Sequence, residues 1–226
     1  MERVIEICPH IYQVGGNGLS DPQDCCVYLV EGDQASALID AGAGKSVTRL
    51  IDNMVQSGLD IHAIRYIVAT HGHIDHIGGL KALQERLQAQ VIAHQLELPA
   101  IQDGLANLTA ADWYGVDYQK VEVDRVLRGP QETVSLGSWQ LVCLHTPGHT
   151  PGGISVYVDS AAGRILFGQD IHGPFNKEWG SDMKQWRESM QSLLALEADV
   201  LCEGHFGIYQ PAAAVRDYIE SYLRRY

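Results

Sequence analysis

The tightest constraint on how this chain can fold lies in residues 70–79, THGHIDHIGG. Upstream, residues 63–70 (AIRYIVAT) carry the apolar, β-branched run of a buried strand. Downstream, residues 80–88 (LKALQERLQ) repeat leucine at helical spacing. The chain must therefore turn from strand to helix within one short segment that also carries His71, His73, Asp75 and His76. Side chains that diverge on a regular element can converge on one point where the backbone curls. Borderline nitrogen donors and a hard oxygen donor at this density are what a transition-metal site uses.

The order of elements around this segment sets the fold class. Strands are predicted at 11–14, 26–30 and 36–39, the last running into Asp40. Ser46 is placed to cap a helix in which Val47, Leu50, Ile51, Met54 and Val55 follow the i, i+3, i+4 spacing, and Gly58 is placed to end it. A strand at 90–93 follows the helix beyond Gly79. Residues 95–124 break the rhythm, with Trp113, Tyr114 and Tyr118 among small and polar residues, as in a helical or irregular insertion. Strands resume at 133–136, 139–144, 153–158 and 164–167, then a helix at 184–196 with Trp186, Met190, Leu193 and Leu194 on one face. A strand at 200–202 precedes a last helix opening at Pro211, whose stripe is Val215, Tyr218, Ile219, Tyr222 and Leu223. Strand runs in each half, with helices between and after them, predict an α/β (α+β) chain of two mixed sheets packed together, helices outside. At 226 residues the expectation is a single domain, 1–226, with an insertion at about 95–124.

Composition narrows the partners. The chain is 46% hydrophobic and 19% charged, with no apolar run long enough to span a bilayer, so no membrane partner is expected. Its start, MERVIE, lacks the basic and apolar regions of a secretory signal. A net charge of −12, with Arg224-Arg225 the only adjacent basic pair, argues against nucleic acid and leaves room for bound divalent cations. Five cysteines form an odd set without C-x-x-C spacing; Cys143 and Cys202 lie in apolar strand contexts, and the vicinal Cys25-Cys26 reads as buried strand thiols. A reducing cytoplasm is the compartment expected.

Three further candidate ligands stand at the ends of apolar strands. His149 lies in TPGHTPG, Asp170 follows ILFGQ, and His205 follows CEG. Each comes one or two positions after a glycine, which lets the backbone turn sharply and approach a bound centre. Of ten histidines, five (His71, His73, His76, His149 and His205) occupy these strand-end positions, a grouping that ordinary loop histidines do not account for.

With H-x-H-x-D-H-x-G-G followed by His, Asp and His in that order, the chain resembles the metallo-β-lactamase-fold, glyoxalase II-like hydrolases. The resemblance runs from LIDAG at 38–42 to the His205 loop. It implies a four-layer αβ/βα sandwich, two mixed sheets face to face, with metals at one edge. Carried over by position, it implies that His71, His73 and His149 bind one metal, Asp75, His76 and His205 the other, and that Asp170 bridges. The cofactor expected is two divalent metal ions, zinc first, with iron or manganese accepted by the same donors. Two such ions about 3.5–4 Å apart hold a shared water and lower its pKa for attack on a carbonyl or phosphoryl centre. Asp75, beside that water, is the candidate catalytic residue, placed to orient it or to pass its proton to the leaving group.

Departures from known subfamilies narrow the activity expected. The commonest β-lactamases carry cysteine where Asp170 stands, and the twenty-one residues after His205 are too few for the glutathione-gripping helical domain of glyoxalase II. Quorum-signal lactonases usually place a tyrosine shortly after the bridging aspartate, where this chain has IHGP. Long-form tRNA nucleases need a basic arm, and flavo-diiron enzymes carry glutamate in place of His73 and a flavodoxin domain. The leading expectation is a hydrolase of a small ester, thioester or lactone. The alternative is a mononuclear iron persulfide dioxygenase-like oxidoreductase, with its iron at the His71/His149/Asp170 side; a phosphodiesterase or nuclease ranks below both. Trp113, Tyr114, Phe175 and Trp179 are candidates for an apolar pocket wall, or for pins that hold the insertions to the core. His172 is a candidate substrate contact or ligand support, and Asp40 a candidate partner for a ligand imidazole. The Tyr-rich last helix leaves a homodimer open.

Overall fold

Period-two alternation of buried residues, read on both faces, explains the central strands. In the strand Val27–Glu31, VYLVE sends Val27 and Leu29 into one apolar cluster and Tyr28 and Val30 into another. A strand buried on both sides must lie between two layers. The computed structural model describes residues 4–226. Its first sheet holds β1 (Ile5–Cys8), β2 (Ile11–Gly15), β3 (Val27–Glu31), β4 (Ser36–Ile39), β5 (Ile64–Val68), β6 (Gln90–His94) and β7 (Arg125–Leu127), in that spatial order. Pairing is antiparallel from β1 to β4 and parallel from β4 to β7. Parallel neighbours need crossovers. These are α1 (Val47–Gln56), then α2 (Ile74–Ile77) with α3 (Leu80–Leu87), then the short helices α4 (Leu98–Ile101), α5 (Ala106–Thr109) and α6 (Ala111–Tyr114). The last three occupy the predicted insertion.

The second sheet runs β13 (Ile208–Tyr209), β12 (Val200–Glu203), β11 (Gly163–Gln169), β10 (Ile154–Ser160), β9 (Gln140–His145) and β8 (Gln131–Ser135). All its pairs are antiparallel except β11 with β12, which α7 (Met183–Ala195) connects. Tyr28, Ala37 and Ile39 of the first sheet meet Leu141, Val156 and Phe167 of the second in the central cluster. Outside the first sheet, Leu50 and Met54 of α1 pack with Leu80 and Leu83 of α3, each buried side chain contributing roughly 1.5–3 kcal/mol. Outside the second, Trp186 and Met190 of α7 pack with Val215 and Ile219 of α8 (Ala212–Arg225). Helix, sheet, sheet, helix is the layering expected from the sequence.

Local differences have tertiary causes. Ser46 precedes α1 but makes no cap; its hydroxyl donates to the buried carboxylate of Asp24 instead. Val55 is 51% exposed and leaves the stripe assigned to it. Gly58, at φ +79°, ends the helix as expected. Pro211 precedes the first turn of α8 rather than opening it. The four thiols Cys25, Cys26, Cys143 and Cys202 are buried and unpaired. Among the described residues, no helix is long and apolar enough to cross a membrane.

Both sheets present loops at one shared edge, where backbone bonds stitch them together. Ile154 N donates to Thr70 O at 2.9 Å and Cys26 N to Gly204 O at 2.7 Å, while the Tyr28 hydroxyl donates to Glu203 O at 2.6 Å. The loops after β5, β9, β11 and β12 meet along this seam.

Candidate metal centre

His71 and His73 leave β5 before α2 begins, and His149 sits in the turn between β9 and β10. His73 Nδ1 lies 3.1 Å from His71 Nε2 and 2.9 Å from His149 Nε2. The edge of a zinc tetrahedron with Zn–N near 2.05 Å is roughly 3.3 Å, close to both separations. Burial pushes His71 and His73 well below the usual imidazole range and His149 down to about 4, with the neighbouring imidazoles adding to the effect on His71 and His73. Three neutral rings thus offer lone pairs toward one point.

A second group forms beside it. Asp75 and His76 lie on α2, and His205 follows β12. Asp75 Oδ2 is 3.2 Å from His205 Nε2 and 3.8 Å from His76 Nε2. Asp170, at the end of β11, faces both groups. Its Oδ1 is 3.3 Å from His76 Nε2, and its Oδ2 is 3.4 Å from His205 Nε2, 3.6 Å from His149 Nε2 and 4.0 Å from His71 Nε2. Burial opposes charge on Asp170, yet His205 and His76 outweigh it and hold the carboxyl well below its usual range. His76 Nε2 and Asp170 Oδ1 are buried without a hydrogen-bond partner. An unsatisfied buried polar atom costs about 1–3 kcal/mol, so a donor set this rich and this unmatched fits a cation. The structure brings all seven sequence-predicted residues together.

The surrounding side chains fix the rings. Asp40, in the left-handed region at φ +64°, accepts from Thr70 N and Thr70 Oγ1, both at 2.8 Å, and meets His76 Nδ1 at 2.7 Å. Such a contact leaves Nε2 as the free nitrogen of His76. Gly204 is required by a close approach: a Cβ there would fall 2.3 Å from Asp170 Oδ1. Three supports were not visible in the sequence. The Glu97 carboxylate accepts from Gly72 N at 2.8 Å and Gly152 N at 2.7 Å, joining the two histidine-bearing loops. Glu203, fully buried, accepts from the backbone N–H of His205 at 2.6 Å and of Phe206 at 2.9 Å, and meets His172 Nδ1 at 2.7 Å. The Tyr114 hydroxyl, on α6, donates to Asp75 Oδ2 at 3.0 Å. A lone glutamate in the otherwise apolar LELPAI, and one directly before Gly204-His205, were the available signals.

A cavity of about 300 Å³ opens over this centre, lined by Asp75, Asp170 and His205 at its base and by Trp113, Tyr114 and Trp179 above. Trp179 stands edge-on to His73 at 4.6 Å and Trp113 edge-on to Trp179 at 4.7 Å. His172 also lines it. Phe175 does not line this cavity; it packs edge-on against Trp186 at 5.3 Å and Tyr226 at 5.0 Å, and so pins its loop to α7 and to the residue that follows α8.

Comparison with known proteins identifies the family and the fold. The family model described as the Metallo-beta-lactamase superfamily matches residues 21–205. The metallo-beta-lactamase fold-containing protein ST1585 of Sulfurisphaera tokodaii is 27% identical over 223 residues, covering 90% of this chain and 81% of that protein. The acyl-coenzyme A thioesterase MBLAC2 of Gallus gallus is 30% identical over 212 residues, covering 81% and 73%. Among solved structures, a HARLDQ-motif mutant of the metallo-beta-lactamase from Cronobacter sakazakii shares the fold, with a TM-score of 0.82 at 23% identity over 99% of this chain and 94% of that one.

Proposed function

Since the chain belongs to the metallo-beta-lactamase superfamily and is a hydrolase of that fold, we propose that it cleaves small esters, thioesters or lactones at a centre of two divalent ions, zinc first. His71, His73 and His149 would hold one ion and Asp75, His76 and His205 the other, with Asp170 shared. When bound, such ions lower the pKa of a coordinated water towards neutrality and polarise the scissile carbonyl. Neutral imidazoles leave that Lewis acidity largely intact, and the Asp40 contact with His76 keeps its ligand nitrogen aimed inward. In the reaction, water adds to the acyl carbon and the C–O or C–S bond breaks. The proton released from water ends on the leaving alkoxide or thiolate, and Asp75 stands where it can carry it. Tyr114 donates to Asp75 and holds that carboxylate in one orientation.

The observation that carries the two-ion reading is Asp170, one oxygen of which lies within 3.3 Å of His76 and the other within 3.6 Å of His149. A complete second group beside the first favours it over a single iron. Relatives that include a thioesterase support the acyl substrate class. The test is metal analysis of the purified chain together with turnover of thioester, lactone and phosphodiester panels. Two ions per chain with acyl hydrolysis is the expected result. One iron with oxygen uptake would replace this reading by the persulfide dioxygenase, and turnover confined to phosphodiesters would replace it by a nuclease.

A further inference from the structure

Resting on the hydrolase reading, we infer that the site selects an uncharged substrate and holds its apolar portion on the aromatic mouth formed by Trp113, Trp179 and Phe206. Trp113 and Phe206 are 66% and 58% exposed, and both line the cavity; no described residue covers their exposed faces. Apolar surface of this size beside a reactive centre gains most from being covered by a ligand. The edge-on series Trp113, Trp179, His73 runs from this mouth directly to the histidine group. Pro22 and Pro174 complete the apolar rim.

Charge points the same way. Among the described residues that line the cavity there is no lysine or arginine. Of the cations on adjoining segments, Lys45 Nζ donates to Gln23 Oε1 at 2.8 Å, Arg49 Nε donates to Leu19 O at 2.8 Å, and Lys177 lines a separate pocket. Recognition of carboxylate or phosphate groups normally relies on such side chains. Asp24 also lines the cavity, with Asp75 and Asp170 at its base and Asp40 and Glu203 behind the imidazoles. Two divalent ions would bring four positive charges into surroundings that hold these five carboxylates, leaving little surplus to attract an anionic handle. The chain's net charge of −12 disfavours anions at longer range.

The experiment compares three thioethers that cannot be hydrolysed, titrated into the metal-loaded enzyme by calorimetry: S-hexyl-N-acetylcysteamine, which is uncharged, S-hexylglutathione and S-hexyl-coenzyme A. The uncharged thioether should bind at least about tenfold more tightly than either anion, and the gap should shrink as salt screens the repulsion. Trp113→Arg, a change at an exposed position, should narrow the gap by strengthening both anions and weakening the uncharged ligand. Equal or tighter binding of an anionic thioether would overturn the inference, as would an unchanged gap in Trp113→Arg or no binding of the uncharged ligand. Turnover of S-hexanoyl-N-acetylcysteamine is read separately. If the binding order holds while this thioester is not cleaved, the thioester reading fails and the charge selectivity stands.

Discussion

Replacing Glu97 with glutamine changes one oxygen for an NH₂ group and leaves the side chain's volume nearly unchanged, yet it should open the site. The wild-type carboxylate accepts two backbone N–H groups, from Gly72 at 2.8 Å and Gly152 at 2.7 Å, and the residue is only 3% exposed. Glutamine has one acceptor oxygen, so one of these bonds is lost and its amide N–H₂ is set against the orphaned backbone donor. A hydrogen bond to a charged group is worth about 1.5–3 kcal/mol and an unsatisfied buried donor costs about 1–3 kcal/mol. The two terms overlap, which places the loss at about 2–4 kcal/mol. Burial raises the Glu97 carboxyl above its usual range, and that desolvation cost is relieved in the amide, which favours the lower part of the interval. For a chain of this length, about 3 kcal/mol corresponds to a fall of roughly 6–12 °C in Tm. Because Gly72 lies between His71 and His73, and Gly152 three positions beyond His149, the metal affinity of this trio should weaken together with stability. Thermal unfolding of the metal-loaded protein and chelator competition are the assays. A stability change under about 0.5 kcal/mol with unaltered zinc affinity would refute the role assigned to this carboxylate.

Asp75→Asn, assayed at verified metal content, should lower kcat by about 10²-fold or more, and near-normal turnover would remove Asp75 from the proton path. Gly204→Ala places a methyl 2.3 Å from Asp170 Oδ1, so elemental analysis should find fewer ions per chain; full occupancy would show that the loop gives way. His94, outside the centre, is pushed down to about 4 by burial and then by the stacked ring of His145 at 4.0 Å. Its folded value lies below its unfolded one, so the stability it supports is complete above about pH 6.5 and is lost as pH falls from there towards 4. Denaturant titrations should show a smaller acid loss over that window in His94→Gln than in the wild type, and matching slopes would contradict the assignment.

The seven residues of the centre were legible because each stands where an apolar strand stops, most of them beside a glycine, and because three imidazoles and an aspartate share one strand-to-helix turn. The strand runs in each half and the helix stripes marked the layers in the same way. What escaped had no local pattern. Glu97 acts on backbone groups 25 and 55 positions away, and Tyr114 reaches an aspartate 39 positions away, so the residues around each do not reveal its partner. Strands β1, β7 and β13, of four, three and two residues, are too short to show alternation and exist through their neighbours. Ser46 looked like a cap because the competing partner, Asp24, lies 22 positions upstream and becomes adjacent only in the fold.

Each half of the centre draws donors from both sheets: His71 and His73 with His149 in one, Asp75 and His76 with His205 in the other. Neither layer by itself carries a complete set, so a cation bound here behaves as a rivet across the sandwich. Its affinity then adds to the free energy that keeps the two layers together, and stripping the ions should loosen that junction before either sheet frays.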